Sequence, residues 1–132
     1  LCYDLWFYGV HHALHIPALY TRYHYQHHAC RHPSWGDTFT AHTLENAISG
    51  LGLFLPLAWI RCSVHALVAA WLLCLARGVA RHDPRFPLSS HHLDHHITPT
   101  CNFSALYVDY VLGTLKCQMP PPTKVARDCV KT

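Results

Sequence analysis

The sequence predicts an all-α protein in which a membrane-embedded helical hairpin lies beneath a helical cap. Three observations predict it. Eight histidines recur at helix-compatible spacing as His11-x-x-x-His15, His24-x-x-His27-His28 and His92-x-x-His95-His96. Charged residues make up only 13% of the chain and apolar ones 51%, a clear deficit against the roughly 25% charge of ordinary soluble domains. An apolar tract, 47–76, lies between the second cluster and the third.

Residues three or four apart share one face of a helix, so each cluster aims two or three imidazoles in one direction. Neutral imidazole is a ligand for zinc, iron and copper, and eight rings exceed what one tetrahedral ion can use. Two metal ions match the count. Without metal the crowding would be unfavourable, because rings with an ordinary pKa of about 6.5 would be partly protonated and repel one another. A single HxxH arises easily by chance. Three dispersed clusters among 14 histidines do not, and dispersal excludes an expression tag. The cap is therefore expected to carry a histidine-rich di-metal site.

Along the chain, residues 2–15 lack proline and present Trp6, Phe7, Val10 and Leu14 on one side, which predicts a helix ending before Pro17. It delivers His11 and His15; His12, one step round from His11, points to solvent. A second short helix, 17–28, brings His24 together with His27 and His28, and its tyrosines are those of a membrane interface. Residues 30–40 read as loop. The apolar tract divides into 47–60, which has no charge but contains Gly50, Gly52 and Pro56, and 64–76, with Arg61, Cys62 and Ser63 between them. Each half reaches only about 20 Å, short of about 30 Å of hydrocarbon. With flanking residues the two halves span a thin bilayer or form a hairpin that enters and returns; the second and third clusters must meet on one side, so the number of crossings is even. Arg77, Arg81 and Arg85 follow the tract, and basic residues at a membrane exit favour the cytosolic face. Residues 82–87 must be loop, 89–96 a helix opened by serine, and 102–115 helical or partly extended. Residues 1–115 then form one domain and 116–132, with Pro120, Pro121 and Pro122, a flexible tail. The chain opens at Leu1 with residues that already read as mid-helix, so an N-terminal part is expected to be missing.

Seven cysteines, odd in number and without a CxxC pair, argue against a disulfide scaffold or zinc ribbon and for a reducing, cytosol-facing setting. No stripe of Lys and Arg interleaved with aromatics suggests nucleic acid. No HExxH occurs, which argues against a zinc peptidase. Asp94, the carboxylate inside the third cluster, has two readings: it orients an imidazole through the ring N–H, or it is a solvated charge at the helix start.

In order, Asp4, Tyr8-x-x-His11-x-x-x-His15, Pro17-x-Leu19-Tyr20-x-x-x-His24-x-x-His27-His28, Ala41-His42-x-Leu44-Glu45, His92-x-x-His95-His96, Asn102-Phe103, Asp109 and Leu112-Gly113-Thr114 resemble the membrane-bound fatty acid hydroxylase superfamily. That superfamily includes sterol desaturases and sterol C4-methyl oxidases. The resemblance implies an endoplasmic reticulum membrane protein whose cytosol-facing cap covers two iron ions, with zinc as the alternative metal. It implies O2-dependent hydroxylation or desaturation of a fatty acyl or sterol lipid, with electrons from cytochrome b5 or a similar reductase. The three motifs supply His11, His15, His24, His27, His28, His92, His95 and His96 as metal ligands, and His82 is an additional candidate. His42, Asp94 and Asn102 are placed around the ligands and not on the metals. Thr43 and Ser104 depart from the Pro and Gly common at those positions. The rival readings are a non-catalytic histidine-rich zinc-binding membrane module and an inactive fragment.

Overall fold

The computed structural model describes residues 1–86 and 89–116, and among them it is helical, without a strand pair. Of the expected tail, 116–132, residues 117–132 lie outside the described residues, as does Pro87. Helix α1, Cys2–Leu14, buries Asp4, His11 and Leu14 along one stripe. It ends where expected, with Ile16 held in the extended region ahead of Pro17. The second helix is more irregular than the spacing suggests. Helix α2, Pro17–Leu19, opens into a wide π turn over Tyr20–His24, closed by Tyr25 N–H donating to the Tyr20 carbonyl at 2.9 Å, and tightens to a 3-10 turn at His27–Ala29. Widening and then tightening the coil turns successive side chains away from a simple helical stripe.

Helix α3, Thr43–Leu51, starts with the His42 ring accepting Leu44 N–H at 3.1 Å. It stops at Gly52, and the chain continues as a 3-10 turn at Leu55–Ala58. Helix α4, Val64–Arg81, is capped by Ser63. The two expected arms therefore differ. Glycines and Pro56 break the first, whereas the second runs on past residue 76 to 18 residues, about 27 Å. Among the described residues α4 is the one helix long and apolar enough to cross a membrane. Helix α5 is Ser90–Ile97 and α6 is Leu106–Val111. Part of 102–115 is thus a turn, which ends on Gly113 at φ 72° after α6. Such a φ is open to glycine and costly for a side chain.

The packing is inverted relative to a soluble domain. The largest fully buried side chains are His24, His95, Asn102, Asp109, Ser89 and Ser104, while Phe54, Leu57, Trp59, Ile60, Val68, Trp71, Leu72 and Leu73 are exposed. A contiguous apolar surface of that extent around a polar centre suits lipid, where apolar groups need no shelter and polar ones must pair internally. The helices are tied through Asp4, whose carboxylate takes Arg77 at 2.7 Å and the Tyr107 hydroxyl at 2.6 Å and whose carbonyl accepts from Ser104 Oγ at 2.8 Å. Trp6 Nε1–H donates to the Ile48 carbonyl at 2.8 Å, and its indole lies where a Cβ on Gly52 would meet it at 2.3 Å. Gly52→Ala is expected to cost about 1–3 kcal/mol through overpacking, measured as a lower thermal midpoint.

Cys2, Cys62, Cys74 and Cys101 are free thiols.

Candidate metal centre

Nine histidines from α1, the π and 3-10 turns after α2, the end of α4, and α5 gather into two groups. His11, His15, His24, His28 and His95 form one and His27, His82, His92 and His96 the other, each with ring nitrogens within 4.8 Å of one another. These are the eight motif histidines and His82. Helical spacing accounts for the partition. Residues four apart share a group, as in His11 with His15, His24 with His28, and His92 with His96, whereas His27 and His95, three on from the first of their motifs, fall in the opposite group. The adjacent pairs His27-His28 and His95-His96 therefore straddle the two groups, with ring centroids of His28 and His96 4.8 Å apart.

The protons on several rings can be assigned from their partners. Nδ1 of His11 faces the Phe103 carbonyl at 2.5 Å, that of His95 the Cys101 carbonyl at 2.6 Å and that of His82 the Gly78 carbonyl at 2.9 Å. A carbonyl only accepts, so each Nδ1 carries its hydrogen and each Nε2 presents a lone pair inward. His24 Nδ1 meets Glu45 Oε1 at 2.8 Å. His11 Nε2 lies 3.1 Å from His24 Nε2, and His82 Nε2 lies 3.2 and 3.3 Å from those of His92 and His96. When Glu45 is ionised it accepts from His24 Nδ1–H, and two lone pairs then face each other between His11 and His24 with no hydrogen between them. Metal–nitrogen bonds of about 2.1 Å put neighbouring ligand nitrogens about 3.0–3.4 Å apart, so a cation among the rings suits both the spacing and the lone pairs.

Electrostatics lead the same way. Burial, reinforced by neighbouring rings, holds His11, His28, His92 and His96 well below the ordinary histidine range, lowers His82, and takes His15 to about 4, His27 and His95 to about 3 and His24 to about 2. Rings that are neutral at pH 7 are ready ligands. Their folded pKa values lie below that of an unfolded chain, about 6.5, so the unfolded state binds more protons below that pH. The histidines' contribution to stability is full above about pH 6.5 and is expected to fall steeply toward pH 4, with multi-proton metal release, as followed by circular dichroism and metal assay across that range.

Several residues hold the ligands. Glu45 is buried against His24, and desolvation takes its pKa up to about 8; sequence reasoning quoted this residue without a role. Glu45→Gln is expected to lower metal affinity of the five-histidine group about 10- to 100-fold, read by competition with a chelator. Asn102, fully buried at φ 61°, donates its N–H to the Thr114 carbonyl and accepts Lys116 N–H. It thereby fixes the loop whose flanking Cys101 and Phe103 carbonyls take His95 and His11. His42 caps α3 and packs edge-on to Tyr23 at 5.2 Å, outside both groups. Asp94 is half-buried on α5, its carbonyl accepting Thr98 N–H. His12 is exposed against Tyr8 and Phe103. His91, not singled out by spacing, is paired with Asp109 at 3.0 Å; the buried acid eighteen residues on was its available signal.

A cavity of about 260 Å³ leads away from the histidines. Three helices line it with one stripe each: Tyr3, Phe7 and His11 of α1; Glu45, Ser49 and Gly50 of α3; Trp71, Cys74, Gly78 and Arg81 of α4. Each stripe runs from the rings toward the apolar surface.

A family model described as fatty acid hydroxylase matches residues 1–114. Comparison with curated proteins and with solved structures gives no match.

Proposed function

The chain belongs to the fatty acid hydroxylase family, and from that premise we propose that it is the catalytic part of an O2-dependent di-iron oxidoreductase that hydroxylates or desaturates a membrane lipid, fatty acyl or sterol. The family supports an oxidoreductase role on lipid in general. The single observation that carries the finer reading is the convergence of nine imidazoles in two adjacent groups, four of which, His11, His27, His82 and His92, line one cavity.

The five-ring group and the four-ring group would each hold one iron. Iron there would supply reduction of O2 and the oxidising equivalents for cleavage of an unactivated C–H bond. The chain's own residues do the rest. Carbonyls of Cys101, Phe103 and Gly78 and the Glu45 carboxylate fix which nitrogen of His95, His11, His82 and His24 faces inward. Phe7, Leu14, Leu53 and Leu75 line the cavity with apolar surface, which excludes water and holds a hydrocarbon chain against the rings. Reduction requires a donor, for which cytochrome b5 or a similar reductase suits.

One test is elemental analysis of the purified protein combined with O2 uptake under reductant and lipid. Iron near two equivalents per chain with lipid-dependent uptake supports the reading. Tightly held zinc without turnover favours the non-catalytic zinc module, since an all-nitrogen ligand set suits either metal. Lipid profiles of cells with and without the full-length gene then give the substrate.

We place the protein in the endoplasmic reticulum membrane with the histidines toward the cytosol, on the strength of the basic residues that end α4. Arg77 pairs with Asp4, and Arg85, beyond the end of α4, pairs with Asp83. Thiol labelling of Arg31→Cys, an exposed position after the second histidine cluster, compared with the native chain in sealed microsomes before and after permeabilisation, decides the side.

A further inference from the structure

Three arginines follow one another at the end of α4 and just beyond it, and two of them are spoken for. Arg77 meets Asp4 at 2.7 Å, and Arg85 meets Asp83 in a bidentate pair. Arg81 differs. Its guanidinium lies over the Phe7 ring, 5.8 Å from the centroid, and lines the cavity; among the described residues no carboxylate stands within ion-pairing distance of it. The nearby acids are committed. Asp4 already holds Arg77 and Tyr107, and Asp109 accepts from two backbone N–H groups, Thr114 and His91.

A half-buried cation without a counter-ion is costly in a low-dielectric setting, and a guanidinium offers a planar fork that suits two oxygens of one anion. The charge balance around it has the same sign. All nine ring ligands are neutral, so two dications held there would leave a net positive end to the cavity, and Arg81 adjoins His82 of the four-ring group. Much of the remaining lining is apolar, Leu14, Leu53, Leu75 and Trp71, with Thr38, Asn46 and Ser49 among it, and Trp71 is also exposed on the outer surface. A molecule that satisfies both ends carries an anionic oxygen group on a hydrocarbon chain.

We propose that Arg81 is the anchor for the anionic head group, carboxylate or phosphate, of the lipid that enters this cavity. The proposal rests on the lipid-oxidising reading and narrows its substrate class to acidic lipids. Arg81 binds substrate and takes no part in the chemistry at the metals.

The test is a binding measurement on the full-length, metal-loaded protein in uncharged maltoside micelles, where no lipid phosphate competes. Dibrominated stearic acid and the alcohol of equal chain length are titrated while tryptophan quenching is recorded, with Trp71→Phe as the blank that assigns the signal to the cavity. The acid is expected to bind about tenfold or more tightly than the alcohol, the scale of a charge-assisted hydrogen bond. Arg81→Gln is expected to bring the acid down to the affinity of the alcohol, leaving the alcohol and the metal content unchanged, and Arg81→Lys to restore part of the difference. Equal affinities in the native chain, or a preference that survives in Arg81→Gln, overturn the proposal. So does abolition of the preference by millimolar inorganic phosphate, which would assign Arg81 to a free anion. If Arg81→Gln fails to fold, the acid-to-alcohol ratio in the native chain still decides. Binding is read without turnover: oxidation without acid preference refutes this inference alone, and acid preference without oxidation refutes the oxygenase reading alone.

Discussion

His27→Ala and His28→Ala, neighbours in the chain, are expected to weaken different metal ions. A four-ligand histidine and cysteine site is worth about 10–16 kcal/mol, so one ligand contributes about 3 kcal/mol, or about two orders of magnitude in affinity. The four-ring group falls to three when His27 is lost and is expected to release its ion under mild chelation. The five-ring group keeps four when His28 is lost and is expected to retain its ion at reduced affinity. Lipid oxidation is expected to be lost in the first variant and sharply reduced in the second. Metal stoichiometry by mass spectrometry under graded chelator, with turnover assayed in parallel, checks both. If both variants lose the same ion, the partition into two groups is wrong.

Asp109→Ala is expected to be the most destabilising single change in the cap, at about 3–5 kcal/mol, the usual cost of breaking a buried charged network. Its carboxylate has no exposed surface and accepts from Phe103 N–H and Ser104 N–H at 2.8 Å, Thr114 Oγ at 2.7 Å and His91 Nε2 at 3.0 Å. Burial alone would raise its pKa, but these donors outweigh burial and hold it below the ordinary carboxylate value. Removing the carboxylate strands four donors, one of them in the peptide whose carbonyl orients His11. Loss of metal should therefore accompany loss of stability. Thermal unfolding followed by circular dichroism, with metal content read on the folded fraction, checks this; a variant that melts like the native chain would show the network to be dispensable.

Much of the site was legible from spacing because metal ligation needs repeated, helix-phased imidazoles and leaves a dense local signature. The eight motif histidines could be picked out as one converging set without coordinates for that reason. Glu45, although quoted among the matching residues, carried no such signature, because one carboxylate on a helix is usually a solvated charge. The backbone carbonyls of Cys101, Phe103 and Gly78 have no side-chain identity to read at all. The two arms differ because Gly50, Gly52 and Pro56 end the first helix by backbone entropy and a missing N–H, where the second arm has no such break.

The sequence by itself determined the helical class, the lipid-compatible surface and the set of rings that can share a face, since each follows from local periodicity and composition. Tertiary structure alone decided how the rings divide between two groups, which carbonyl holds each one, and that Arg81 lines the cavity without a carboxylate beside it. The reason is geometric. Periodicity specifies the direction of a side chain relative to its own helix axis, and only the crossing of helices distant in sequence specifies what stands opposite.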